Sequence, residues 1–316
     1  MATLLSYVSP PKFKPERDMP DLTGKIALVT GGNTGIGYQT VKHLLLKNAK
    51  VYLASRSPDK AAAAIQQLKD ETKGKTAIFL KLDLADLPSV RKAAEEFLAK
   101  ESRLDLLFNN GGVMISPPDM LTAQNYDLQF GTNCIGHYFF TELLLPALIQ
   151  SHAQTNIRAR IMHTTSIGHT LAPSGGIEFD NLKPGPKRDA WVKQAGSTLG
   201  PWRLYGQSKL GNILVSNYFA RTYPESIVSC AVHPGGIKSE LGRHGGSMIH
   251  MLGNLIQYPT WMGPLTQLWG ATAKEEEVNG QYLVPWGKVG KASAQASDRE
   301  LEDKVMAWLR DETKGF

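Results

Sequence analysis

Lys25-Ile26-Ala27-Leu28-Val29-Thr30 runs directly into Gly31-Gly32-Asn33-Thr34-Gly35-Ile36-Gly37, and a helical pattern then continues to about Lys47. A short apolar run bounded by glycines reads as a buried strand. Glycines at a strand-to-helix turn allow a tight bend and let a phosphate approach the backbone closely. The helix that follows offers free N–H groups and the positive end of its dipole to a pyrophosphate. The spacing is Gly-x3-Gly-x-Gly, not the Gly-x-Gly-x2-Gly of the common fingerprint. A glycine-rich turn without a phosphate function therefore stands as the alternative.

Working outward, apolar runs and helical patterns alternate. Further strands are expected at Lys50–Ala54, Thr76–Leu82, Leu104–Phe108, Ile157–Thr164, Ile227–Val232 and Gln281–Leu283. Helices are expected at Pro58–Thr72, at Ser89–Lys100 behind Pro88, and at Asn125–Gln150 with a bend at Pro146. Strands separated by helices of this length imply βαβ units, hence an α/β fold with a doubly wound parallel sheet of the Rossmann type. Residues 1–21, with four prolines, read as an irregular arm, and 22–316 as one domain. His169–Trp202 and Gly235–Gly270 break the rhythm with glycines and prolines, and both are candidates for covering a substrate.

Composition excludes several classes. The chain is 42% hydrophobic and 20% charged, as expected for a protein with a sizeable core. Its net charge of +6 is scattered, with no basic run interleaved with aromatics, which argues against nucleic acid as a partner. Cys134 and Cys230 are far apart and unlike in context, so a reducing, cytoplasmic setting is expected rather than a disulfide framework. No apolar run approaches the ~20 residues of a membrane span, the N-terminus lacks a secretory pattern, and no metal-ligand spacing appears.

Three further places carry chemistry. The second strand ends in Ser55-Arg56-Ser57, with no Asp or Glu to hold ribose hydroxyls; an arginine there accommodates a 2′-phosphate and argues for NADP(H) over NAD(H). Asp83 follows the third strand and Asn109-Asn110-Gly111-Gly112 the fourth, at the sheet edge where ligands bind in open α/β folds. Tyr205 and Lys209 are four apart, so on a helix they share a face. A nearby cation stabilises phenolate and should lower the tyrosine pKa. Alone, such a pair is also compatible with a solvated helix face.

From about Leu22 to Leu283 these residues together resemble the short-chain dehydrogenase/reductase family. The matching parts are the turn at Thr30–Gly37, Asp83-Leu84, Asn109–Gly112 (where the family usually has alanine at 112), Tyr205-x3-Lys209 and His233-Pro234-Gly235. Thr132-Asn133-Cys134-Ile135-Gly136-His137 and the stretch Tyr205–Asn212 look most like the retinol-dehydrogenase-like branch. The resemblance implies a catalytic set of Asn133, Ser166, Tyr205 and Lys209. Tyr205 would be the general acid in reduction and the base in oxidation, and Lys209 would tune it and bind the nicotinamide ribose. Ser166 would hold the substrate oxygen. Asn133 would interrupt its helix and hold a water linking Lys209 to solvent. The cofactor set implied is Gly31, Asn33, Thr34, Gly35, Ile36, Gly37, Ser55, Arg56, Ser57, Asp83, Leu84, Asn110, Gly111, Gly112, Pro234, Gly235, Ile237 and Ser239, besides Tyr205 and Lys209. His163, His169 and His233 flank these positions and read as structural.

Met248, Met251, Leu252, Leu255, Trp261, Met262 and Trp269 suggest an apolar lobe, about 235–270, over a hydrophobic carbonyl or alcohol. Core and dimer contact are the alternatives, and such a lobe leaves room for peripheral association with a membrane surface. The resemblance implies a homo-oligomer, a dimer or a tetramer. The rival to an enzyme is a dinucleotide-binding sensor or scaffold of the same fold, a class that tends to lose the tyrosine or lysine retained here.

Overall fold

The computed structural model describes residues 11–238 and 258–316. Among them a sheet of eight strands has the order β3-β2-β1-β4-β5-β6-β7-β8. The strands are β1 Ile26–Thr30, β2 Lys50–Ser55, β3 Ile78–Lys81, β4 Leu106–Asn109, β5 Ala159–Thr164, β6 Ile227–Val232, β7 Tyr282–Val284 and β8 Lys288–Val289. Every pairing is parallel except β7 with β8. The main helices are α1 Gly35–Leu46, α2 Pro58–Glu71, α3 Leu87–Lys100, α4 Gly136–Thr155, α5 Pro186–Thr222, α6 Leu265–Thr272 and α7 Arg299–Thr313.

The apolar runs become central strands because both faces of the sheet are covered. Ala27 and Val29 join one cluster with Val41 and Leu44 of α1, Ala61 and Leu68 of α2, and Leu265 and Leu268 of α6. Leu28, between them, points to the other face and joins Phe97 of α3, Leu144 of α4, Leu214 of α5 and Leu309 of α7. Strand order reverses between β1 and β4. Thr30, Asn109 and Thr164 therefore end at one edge of the sheet, at its switch point.

The sequence placed most elements within a few residues and missed others. The helical stretch expected at Asn125–Gln150 starts at Leu128, carries a π-helical turn at Gly131–Ile135, and runs on through Pro146 to Thr155. The irregularity thus lies at Asn133 and not at the proline. His169–Trp202 is not irregular throughout: α5 opens at Pro186 and passes through a kink at Gly196, where φ is 76°. Two 3-10 turns, Ile167–Leu171 and Phe179–Asn181, fill the preceding part. The N-terminal arm contains a helix, Pro15–Asp18, that Lys47 Nζ fastens by hydrogen bonds to the Glu16 and Met19 carbonyls.

Candidate active site

The glycine turn packs against the end of β4. Gly31 has a φ of 65°, and a Cβ there would lie 2.9 Å from the Gly111 Cα. A Cβ on Gly37 would overlap the Gly31 carbonyl and the Asn110 amide. Only glycines allow this closeness. Thr30 Oγ1 joins the two strand ends, accepting from the Asn110 N–H at 2.9 Å and the Gly111 N–H at 2.8 Å. Asn110 Nδ2 returns a bond to the Thr30 carbonyl at 2.9 Å. Asn110 Oδ1 and Ser55 Oγ are buried without a partner among the described residues.

Asn33 is partly covered, Thr34 is the exposed N-cap of α1, and Gly35 and Ile36 open that helix. Arg56 is exposed beyond β2, and Ser57 caps α2. The Asp83 carboxylate accepts from the Ala85 N–H at 3.0 Å, and buried Leu84 lies beneath Gly111. Glycines that admit a close approach, exposed helix N–H groups and two unpartnered buried oxygens fit a dinucleotide.

Tyr205 and Lys209 lie on α5, both buried, with Lys209 Nζ 5.6 Å from the centre of the Tyr205 ring. Ser166 ends the extension of β5, and its hydroxyl accepts from the Gly168 N–H at 3.0 Å. The Ser166 hydroxyl lies on the phenol side of Tyr205 and acts to lower its pKa. Gly168 makes room: a Cβ there would lie 2.9 Å from the tyrosine ring and 3.4 Å from Ser166 Oγ. Lys209 Nζ donates to the Thr164 carbonyl at 3.0 Å. Asn133 sits in the π-helical turn; its Oδ1 accepts from Val113 N–H, and its Nδ2 donates to the Val113 carbonyl and to Ser208 Oγ. Gly112 is where these groups converge, since a Cβ on it would lie 2.8 Å from Asn133 Oδ1 and 3.7 Å from Lys209 Nζ.

Burial sets the electrostatics. It pushes the Tyr205 phenol up to about 12, against the lowering effect of the Ser166 bond. It pushes Lys209 down to about 8. The phenol therefore sits above, not below, its ordinary value, with burial the larger cause. Two groups removed from water both shift toward their neutral forms, and desolvation is the largest cause for each. His163 and His233 are driven down to about 3 by burial, and His169 is lowered for the same reason.

After β6, Pro234 is buried and Gly235 has a φ of 94°, with Trp286 and Pro285 within 3.2 Å of where a Cβ would sit. Ile237 is buried and pairs with Tyr258 as a parallel bridge. Ser239, Met248, Met251, Leu252 and Leu255 lie outside the described residues. Of the remaining lobe residues, Met262 joins the core beside Leu265, Trp269 packs on that cluster, and Trp261 is exposed. Thr30, His137 and Ser208 also belong to this site. Sequence reasoning passed over them, although each stood inside a quoted motif.

The sequence profile described as short chain dehydrogenase matches residues 25–178. A short-chain dehydrogenase/reductase of Armillaria gallica is 47% identical over 99% of this chain and 98% of its own. The chain belongs to the short-chain dehydrogenase/reductase family. An uncharacterized oxidoreductase of Schizosaccharomyces pombe is 40% identical over 90% of this chain and 84% of its own. Among solved structures, an uncharacterized protein of Mycobacterium paratuberculosis aligns with a TM-score of 0.73 at 26% identity, covering 96% of this chain and 98% of that one. A member of this family is an oxidoreductase by kinship, and no helix among the described residues is long and apolar enough to cross a membrane.

Proposed function

We propose that the protein is an NADP(H)-dependent oxidoreductase interconverting a hydrophobic carbonyl and its alcohol, with Tyr205 as the acid/base. One arrangement carries this reading: the Tyr205 ring and the Ser166 hydroxyl both border Gly168 at a strand end, with Lys209 on the same helix face. A dinucleotide held by the glycine turn would supply the hydride, or accept it in the reverse direction. Tyr205, protonated at neutral pH by its raised pKa, gives its proton to the substrate oxygen as the carbonyl carbon takes the hydride. The Ser166 hydroxyl holds that oxygen while charge develops on it. Lys209 uses one of three donors on the Thr164 carbonyl and keeps two for a ribose hydroxyl and a water. Ser55 and exposed Arg56 would hold the 2′-phosphate. The retinol-dehydrogenase-like kinship, a cytoplasmic location and a dimeric or tetrameric state belong to the same reading.

The test is a panel of apolar carbonyls and alcohols with NADPH and NADP+, followed at the nicotinamide absorbance band. Tyr205→Phe should abolish turnover with the NADPH Kd within about twofold of the parent, since the phenol meets the substrate oxygen. Arg56→Asp should weaken NADPH by about tenfold or more while sparing NADH. NADPH binding without turnover anywhere on the panel would favour the sensor reading instead.

A further inference from the structure

His137 lies on the first turn of α4, fully buried, between two parts of the site described above. Its Nε2 is 2.8 Å from Thr30 Oγ1, and its Nδ1 is 2.9 Å from the Asn133 carbonyl oxygen. The donors can be assigned by elimination. Thr30 Oγ1 already accepts from two backbone N–H groups, of Asn110 and Gly111, so both its lone pairs are occupied. Its own proton must therefore go outward. The nearer acceptor is His137 Nε2, the Phe108 carbonyl being 3.3 Å away. The ring proton then sits on Nδ1 and is donated to Asn133. Burial keeps the imidazole neutral, and the Lys209 ammonium acts in the same direction.

The bonds form one directed chain: the Asn110 and Gly111 amides to Thr30, Thr30 to His137, and His137 to the Asn133 carbonyl. That run ends on the Asn133 backbone, and a second starts from the same residue's side chain: Nδ2 donates to Ser208 Oγ, and Ser208 donates to the Tyr205 carbonyl at 2.7 Å. One end is the turn against which the dinucleotide is expected to lie; the other is the helix that bears the tyrosine. We infer that His137 is a positioning residue that couples the dinucleotide turn to the alignment of Tyr205. It touches neither cofactor nor substrate in this role. The inference rests on the proposed function for its meaning, but the bond pattern is a property of the protein alone.

Three substitutions separate the two halves of the coupling. His137→Leu removes the near acceptor of the Thr30 hydroxyl proton and the ring donor to the Asn133 carbonyl, and should weaken NADPH binding and lower kcat by roughly ten- to a hundredfold each. His137→Asn keeps a donor near the Nδ1 position and should restore kcat more than Kd. His137→Gln reaches toward Thr30 and should restore Kd more than kcat. This crossed rescue is not expected of a residue that only fills space, for which all effects would follow melting temperature. The ring-nitrogen NMR spectrum of the cofactor-free protein gives a readout independent of the reaction, with the proton expected on Nδ1. A proton on Nε2, or Asn and Gln variants that lose Kd and kcat in equal proportion, would overturn the inference. So would a folded leucine variant with parental Kd and kcat. Should the leucine variant not fold, the Asn and Gln variants decide. A parent that binds no dinucleotide sinks the proposed function, while the proton's position still tests the bond chain. A parent that binds but has no substrate leaves Kd as the deciding quantity.

Discussion

His137, His163 and His233 are each pushed down to about 3, because each ring is buried where an imidazolium cannot be hydrated. Their folded pKa values lie below the ~6.5 of an unfolded chain. The stabilisation from keeping them neutral is therefore complete above pH ~6.5 and is lost as pH falls toward 3. In that window the unfolded chain binds more protons, and each histidine steepens the loss by roughly 1.4 kcal/mol per pH unit. Calorimetry between pH 7 and 5 should show a steep fall, and His163→Phe, whose ring can stack on Phe219 as the imidazole does, should remove one proton's share of the slope. An unchanged slope would mean that His163 is protonated in the folded protein. The same physics explains a limit of the sequence at this scale. Tyr205 and Lys209 were visible as a pair, but spacing carries no information on depth. Depth is what sends the phenol up and the ammonium down.

At the scale of elements, the π-helical turn before α4 and the start of α5 are tied by one buried ion pair. Asp127 caps the short helix Leu128–Phe130 through the Gln129 and Phe130 N–H groups, and Arg188 donates to its other oxygen at 2.9 Å. Arg188 also donates to the Pro118 and Asn181 carbonyls. Burial pushes the Asp127 carboxyl up in spite of this partner. Arg188→Met should cost about 3–5 kcal/mol in urea denaturation, because an unpaired carboxylate stays buried. Adding Asp127→Asn should recover part of that loss, and strict additivity would show that the pair is not coupled. The strands β1 to β6 were legible because buried parallel strands are short apolar runs between turn residues. The opening of α5 was not, since Pro186, Gly196 and Gly200 read as breakers. Pro186 falls where a helix accepts proline, and Gly196 falls at the kink. The break at Asn133 was legible only through the family resemblance, because nothing in Gly131–Ile135 marks a π turn locally.

Across the whole molecule, α7 closes the face of α4 and α5 that the sheet leaves outward. Leu301, Val305, Met306 and Leu309 are buried there, and Trp308 meets Tyr126, Phe130 and Phe179 at 6.0, 5.9 and 5.6 Å between ring centres. Trp308→Ala should lower stability by about 2–3 kcal/mol in a denaturant titration, less than for a fully buried ring. A loss below about 0.5 kcal/mol would show that α7 adds little to the core. The helix was not legible in the sequence because the motifs end near Leu283 and no strand follows it to complete a βαβ unit. One contact gives this last part of the chain a wider reach. His169 donates from Nδ1 to the Ser166 carbonyl at 2.7 Å and accepts at Nε2 from the Ser293 N–H at 3.0 Å. A protein clipped after Gly290 would keep its whole sheet. It would nonetheless lose the amide that braces Nε2 of His169, whose other nitrogen holds the Ser166 carbonyl, together with the buried side chains of α7. Trimming from the carboxyl end should thus blunt turnover before any strand is touched, which makes the tail's integrity something to verify in every preparation assayed.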